Sequence, residues 1–213
     1  MFDAVIVDYG LGNLHSVKRA VEASGFSVNV TSDLVEIQNA NRLIFPGVGA
    51  FGTGMKIIKE RGIDDILRRF SETERPVLGI CLGMQLMLGH SEEFGQHKGL
   101  NFFNGKAVKI PQKEEIGSIR KVPFVGWKSV KNTERNVFNK INFENINGKK
   151  SWYYFTHSFM AALDDAGQIV AQYDHLGQKV NAVIARENLL GVQFHPEKSG
   201  RDGLSVFKAF FDL

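Results

Sequence analysis

Three side chains have the types and spacing of a nucleophile, a base and a group that orients the base: Cys81, His195 and Glu197. Cys81 sits in Gly79-Ile80-Cys81-Leu82-Gly83, a nucleophile-elbow pattern with Cys in place of Ser. Such a turn is so sharp that only small residues fit two positions either side of the nucleophile. It also sets the sulfur at a helix N-terminus, where unpaired N–H groups favour a thiolate. A free cysteine is only a few per cent thiolate near neutral pH, so a reacting one needs that help. His195 and Glu197 belong to Gly191-Val192-Gln193-Phe194-His195-Pro196-Glu197. Pro196 biases His195 toward extended backbone, where residues two apart project to one side. Glu197 can then hold the imidazole in the tautomer that takes a proton from Cys81. Each motif alone has an ordinary reading, a buried structural cysteine and a closed strand end. Together they point to acyl transfer through a covalent thioester.

Acyl transfer also needs donors for a developing oxyanion. The glycines of Pro46-Gly47-Val48-Gly49 allow backbone conformations that turn N–H groups toward a substrate. The hole is expected from Gly47 and Val48, or Gly49, with the N–H of Leu82 behind the nucleophile; losing one such donor typically costs about 10²–10³ in rate. Gln85 lies one helical turn beyond Cys81 on the same face, placed to hydrogen-bond the polar end of a substrate. Gly10-Leu11-Gly12-Asn13-Leu14-His15 begins like a dinucleotide fingerprint, but His15 stands where the third glycine belongs. His15, His90, His97 and His175 show no recognised zinc spacing, so neither a metal nor another cofactor is expected.

These residues must be held by regular elements. Ala4-Val5-Ile6-Val7 reads as a buried strand, followed by a helix with Leu14, Val17 and Val21 on one face and Gly25 at its end. Phe26, Val28 and Val30 alternate as a second strand, and Leu43-Ile44-Phe45 forms a third. Helix follows over Ile58 to Phe70, with Gly62 able to divide it. Val77 to Ile80 is a fourth strand and Leu82 to Leu88 a helix. This alternation predicts an α/β fold: a mostly parallel twisted sheet with helices on both faces. From about Leu100 to Ala185 the texture turns β-rich, with pieces such as Ala107 to Ile110 and Trp152 to Phe155. Gly191 to Phe194 then reads as a last core strand and Gly203 to Phe211 as a closing helix. No linker or repeat interrupts residues 1–213, so one domain with a β-rich insertion is expected.

Composition fits that picture. The hydrophobic share is 43% and the charged share 23%, close to soluble globular averages. Apolar runs fall short of the roughly 18–20 residues that span a membrane. Acidic residues occupy the start, where a signal peptide would be basic, which predicts a cytosolic protein. A net charge of +3 with interspersed signs gives no basic stripe for nucleic acid. The single Cys excludes an internal disulfide.

Taken together the motifs resemble class I (Cys-His-Glu) glutamine amidotransferases, which are flavodoxin-like. More narrowly the chain is similar to the glutaminase subunits of imidazole glycerol phosphate synthases. The resemblance runs nearly the whole length, through Asp8 to Leu14, Pro46 to Phe51, Gly79 to Gln85, Gly126-Trp127, Tyr154 to Ser158 and Gly191 to Ser199. It implies Cys81 as nucleophile, His195 as base and Glu197 as orienter. It also implies Gly49, Gln85 and the His157-Ser158-Phe159 backbone around bound glutamine. The implied partner is a (β/α)₈-barrel cyclase subunit in a heterodimer. That subunit would receive channelled ammonia and yield imidazole glycerol phosphate and AICAR in histidine biosynthesis. A chain ending at Leu213, just after its final helix, fits a subunit acting in trans.

One segment departs from the family pattern Val-Pro-His-x-Gly-Trp-Asn: the chain reads Val122-Pro123-Phe124-Val125-Gly126-Trp127-Lys128. Phe124 and Lys128 are expected on the partner-facing side. That departure keeps open a paralogous amidotransferase feeding another synthase, such as a surface-sugar pathway. A silent scaffold subunit and a Cys hydrolase of γ-glutamyl compounds are further rivals, opposed by the intact triad and by Gln85.

Overall fold

The computed structural model describes residues 2–112, 114–115, 118–119, 121–134, 138 and 140–213, with backbone alone for 114–115 and 118–119. Ala4–Val7 (β1), Leu14–Ala23 (α1), Val28–Thr31 (β2), Leu34–Gln38 (α2), Leu43–Gly47 (β3), Phe51–Glu60 (α3), Ile63–Ser71 (α4), Val77–Cys81 (β4) and Leu82–Leu86 (α5) form the first part. They are followed by Leu88–Ser91 (β5), His97–Lys98 (β6), Phe103–Lys109 (β7), Glu114–Glu115 (β8), Ser118–Ile119 (β9), Phe124–Ser129 (β10) and Lys131–Asn132 (β11). Trp152–His157 (β12), Phe159–Leu163 (β13), Ile169–His175 (β14), Gln178–Arg186 (β15), Leu189–Val192 (β16) and Gly200–Phe211 (α6) complete the chain, with 3₁₀ turns at Ala166–Gln168 and Pro196–Lys198.

The main sheet runs β2-β1-β3-β4-β16-β15-β13-β7-β5-β6, with β14 paired to β15. From β2 to β16 every pairing is parallel. Strand β15 then turns antiparallel against β16, and β13 and β7 continue in that sense. Most of the β-rich second half therefore extends the same sheet. The pairs β10–β12 and β8–β9 stand off it.

Strand alternation divides the core. Ala4, Ile6, Ile44, Leu78 and Ile80 face one side, against Val17 and Val21 of α1 and Val206, Phe207 and Phe210 of α6. Val5, Val7, Leu43, Phe45 and Val77 face the other, against Ile37 of α2, Met55 and Ile58 of α3, and Ile63 and Leu67 of α4. Gly62, at φ 68°, breaks α3 from α4, a left-handed conformation that glycine adopts without steric cost.

Two elements differ from the expectation. Helix α5 ends at Leu86, and Leu88 opens β5. The carbonyls of Leu86, Met87 and Leu88 accept from Leu100, Phe102 and Asn101, so pairing with a distant segment overrides the apolar run that looked helical. The last core strand is Leu189–Val192 rather than Gly191 to Phe194. Among the described residues no helix is long and apolar enough to cross a membrane.

Candidate active site

The elbow is built by close packing. Cys81 ends β4 with φ 53° and ψ −107°, a positive φ that non-glycine residues seldom adopt. Two positions before it, a Cβ on Gly79 would meet Met87 Sδ at 2.4 Å and Met84 Cα at 3.0 Å. Two positions after it, a Cβ on Gly83 would lie 1.8 Å from the carbonyl oxygen of Phe45. The small residues let α5 seat directly on β3 and β4, which forces the turn. Leu82 opens α5, so its N–H has no acceptor within the helix.

His195 comes from the other side of the site. Its N–H donates to Tyr154 O at 2.8 Å, and its carbonyl accepts from Ser199 Oγ at 2.6 Å, pinning this segment to β12. Glu197 Oε1 lies 2.8 Å from His195 Nδ1, with both side chains almost fully buried. The contact expected from two residues on one extended segment is made differently. His195 is extended (φ −98°, ψ 97°), but Pro196 opens a 3₁₀ turn that folds Glu197 back beneath the ring. Glu197 fixes Nδ1 as the protonated nitrogen, while Nε2 is buried and without a hydrogen-bond partner. Burial alone would depress the His195 pKa, yet Cys81 and Glu197 beside it prevail and push it up to about 10.

Cys81, His195, Val48, Gly49, Leu82, Gln85, His157, Ser158 and Phe159 line one cavity of about 290 Å³, near the lower end of small-ligand pockets. Gly47 lies just behind it, paired with Cys81 across β3 and β4, and Tyr9 Oη fills the space a Cβ there would need. Gly49 has φ +113°, the backbone freedom expected of that turn. Gln85 is buried, and its Nε2 donates to Phe159 O at 3.1 Å and to Gln193 Oε1 at 3.0 Å. His157 turns its ring away into structure: Nδ1 meets Phe159 O at 2.7 Å and Nε2 meets Tyr173 Oη at 2.8 Å. A carbonyl only accepts, so Nδ1 carries the hydrogen and Nε2 accepts from the tyrosine. Burial lowers the His157 pKa to about 4, consistent with a neutral ring. What His157 offers the cavity is therefore the backbone of the 157–159 corner.

Two features in and behind the cavity were not evident in the sequence. Glu93 supplies the one carboxylate in the lining among the described residues, and its Oε2 accepts from Phe51 N at 2.6 Å, tying the 92–95 loop to the start of α3. Gln193, fully buried, directs Nε2 at Cys81 Sγ from 3.6 Å. Glu93 carries no pattern signal, being one acidic residue in a polar loop. Gln193 could have been found from its place two residues before His195.

The departing segment also proves different. On β10 the exposed side chains are Val125 and Trp127, at 57% and 50%. Phe124 turns inward, with ring centroids 5.5 Å from Tyr173 and 4.7 Å from His175. Lys128 Nζ stands 5.6 Å over the Phe124 ring. The two substitutions thus form one cation–π pair on the inner side of the ribbon, while Trp127 alone of the three large residues faces out.

The family model "Glutamine amidotransferase class-I" matches residues 5–212. The chain is 43% identical over 214 residues to "Imidazole glycerol phosphate synthase subunit HisH 1" of Legionella pneumophila (strain Paris), with 100% of both chains covered. It is 40% identical to the HisH subunit of Syntrophotalea carbinolica, covering 98% of this chain and 99% of that one. A crystal structure of a glutamine amidotransferase shares the fold at TM-score 0.72 and 17% identity, over 99% of this chain and 100% of that chain. The protein is a class I glutamine amidotransferase, of the family of HisH subunits of imidazole glycerol phosphate synthase.

Proposed function

We propose that Cys81, His195 and Glu197 hydrolyse glutamine in the 290 Å³ cavity and that the ammonia passes to a (β/α)₈-barrel cyclase subunit. The observation that carries this reading is Cys81 on a strained elbow with a Glu-held imidazole in the same cavity. The thiolate attacks the side-chain amide carbon of glutamine, forming the S–C bond. Backbone N–H groups of Val48 or Gly49 and Leu82 receive the oxyanion. The imidazolium of His195 gives its Nε2 proton to the amide nitrogen, the C–N bond breaks and ammonia leaves. Water, deprotonated by His195, then attacks the thioester and releases glutamate, and the sulfur departs as thiolate. The raised His195 pKa favours the proton on the imidazole at the start of this cycle. Glu93 in the lining suits the α-ammonium of the substrate, and Gln85 and the 157–159 backbone its remaining polar end.

Trp127, half exposed and set edge-on to Tyr154, suits an aromatic anchor on the partner side. The place of work is the cytosol. The test is reconstitution with a histidine-pathway cyclase subunit and its nucleotide. Glutamine hydrolysis should rise by about 10²–10³ over the isolated chain if the oxyanion turn is completed only in the complex. Equal turnover with and without partner and nucleotide removes that gating.

A further inference from the structure

Gln193 plays no part in the proton transfers above, yet it is fully buried within reach of the nucleophile. The direction of its amide follows from its neighbours alone. Phe159 O is a carbonyl and can only accept, so the Gln85 atom 3.1 Å away is its NH₂. The same nitrogen lies 3.0 Å from one terminal atom of Gln193, which must therefore be the acceptor oxygen. The remaining Gln193 atom is then the NH₂, and it faces Cys81 Sγ at 3.6 Å, an ordinary N–H···S separation. Reversing the Gln193 amide would set two donors against each other beside Gln85.

We infer that Gln193 is a positioning residue: its amide, locked by Gln85 and Phe159, holds an N–H on the Cys81 sulfur and stabilises the thiolate. The inference rests on Cys81 being the nucleophile. It also links the cavity lining to the sulfur, because Gln85 and Phe159 both line the cavity and set the orientation of the donor at Cys81. A hydrogen bond to a charged acceptor is stronger than one to a neutral acceptor, so the N–H favours thiolate over thiol.

The chain has one cysteine, so alkylation by iodoacetamide reads Cys81 alone. The rate is measured against pH on the full chain for wild type, Gln193→Met and Gln193→Glu. Methionine keeps the length and loses the donor, and the inflection should rise by about one pH unit, with rates below it reduced about tenfold. Glutamate keeps the shape and still accepts from Gln85, and a carboxyl buried at this position is held neutral, so its O–H replaces the amide donor at the sulfur and the inflection should stay near the wild-type value. A loss of packing alone lowers the melting temperature and leaves the inflection in place. An unmoved inflection in folded Gln193→Met, or a Gln193→Glu inflection raised as far as that of Gln193→Met, overturns the role of Gln193 while leaving Cys81 as nucleophile. Undiminished glutamine hydrolysis by Cys81→Ala overturns the nucleophile itself, a separate result.

Discussion

Replacing Gly83 by alanine tests whether close packing of α5 creates the elbow. The added methyl would sit 1.8 Å from Phe45 O and 2.9 Å from Phe45 C. An ordinary C···O contact is about 3.3 Å, so α5 must move by roughly 1.5 Å. Both offending atoms are backbone in the middle of the sheet and cannot rotate aside. Overpacking of this kind costs about 1–3 kcal/mol, offset by at most about 1 kcal/mol of helix propensity, for a net loss near 2 kcal/mol. In a chain of this length that is about 4–8 °C in melting temperature. The functional loss should exceed the loss of stability. Moving α5 displaces Leu82 N–H and the Cys81 turn together, and a misplacement of about 1 Å costs on the order of 10² in rate. Gly54→Ala in α3 is the control: its methyl meets only side-chain ends, the Leu86 methyls at 3.1 and 3.3 Å and Leu82 Cδ2 at an ordinary 3.5 Å, which can shift. Thermal denaturation, Cys81 alkylation and glutaminase turnover of both variants are compared. Gly83→Ala with wild-type melting and wild-type alkylation would refute the packing origin of the elbow.

Glu197→Gln should reduce glutamine hydrolysis by about 10³–10⁴, because the imidazole loses the partner that fixes its tautomer. It should also flatten a pH dependence of stability. The folded His195 pKa of about 10 lies above the ordinary 6.5, so its stabilising contribution is complete below about pH 6.5 and lost as pH rises toward 10. Urea denaturation between pH 6 and 10 reads this slope, and an unchanged slope in the variant contradicts the assigned cause. Trp127→Ala should leave stability within about 0.5 kcal/mol but weaken a barrel partner by about 2 kcal/mol or more, whereas Phe124→Ala should destabilise the isolated chain by about 2 kcal/mol. Calorimetry and denaturation separate the two. The reverse pattern would place Phe124, not Trp127, at the interface.

What the sequence made legible was local. The elbow depends on two glycines and a strand–helix junction within five residues, and His-Pro-Glu lies within three. Strands β1, β3 and β4 show as apolar runs because they are buried on both faces. Less legible was whatever long-range pairing decides. Leu86-Met87-Leu88 satisfies a helical reading until residues 100–102 come to its carbonyls. Strands β13, β7 and β5 look like an insertion until β15 and β16 join them to the parallel core. Phe124 was expected to face a partner, since the alternation that turns Val125 and Trp127 outward needs the register with β12. Gln193 stands inside the His195 motif, but its contact with the sulfur is set by Gln85, 108 positions away.

In the proposed function, ammonia release and acceptor chemistry are separate, with Cys81 serving only the first. The most direct measurement is synthesis by the complex carrying Cys81→Ala, driven either by glutamine or by added ammonium salt. Glutamine-driven synthesis should vanish while ammonium-driven synthesis stays near the wild-type level. A fall in the ammonium-driven reaction as deep as in the glutamine-driven one, in a properly assembled complex, would contradict that division.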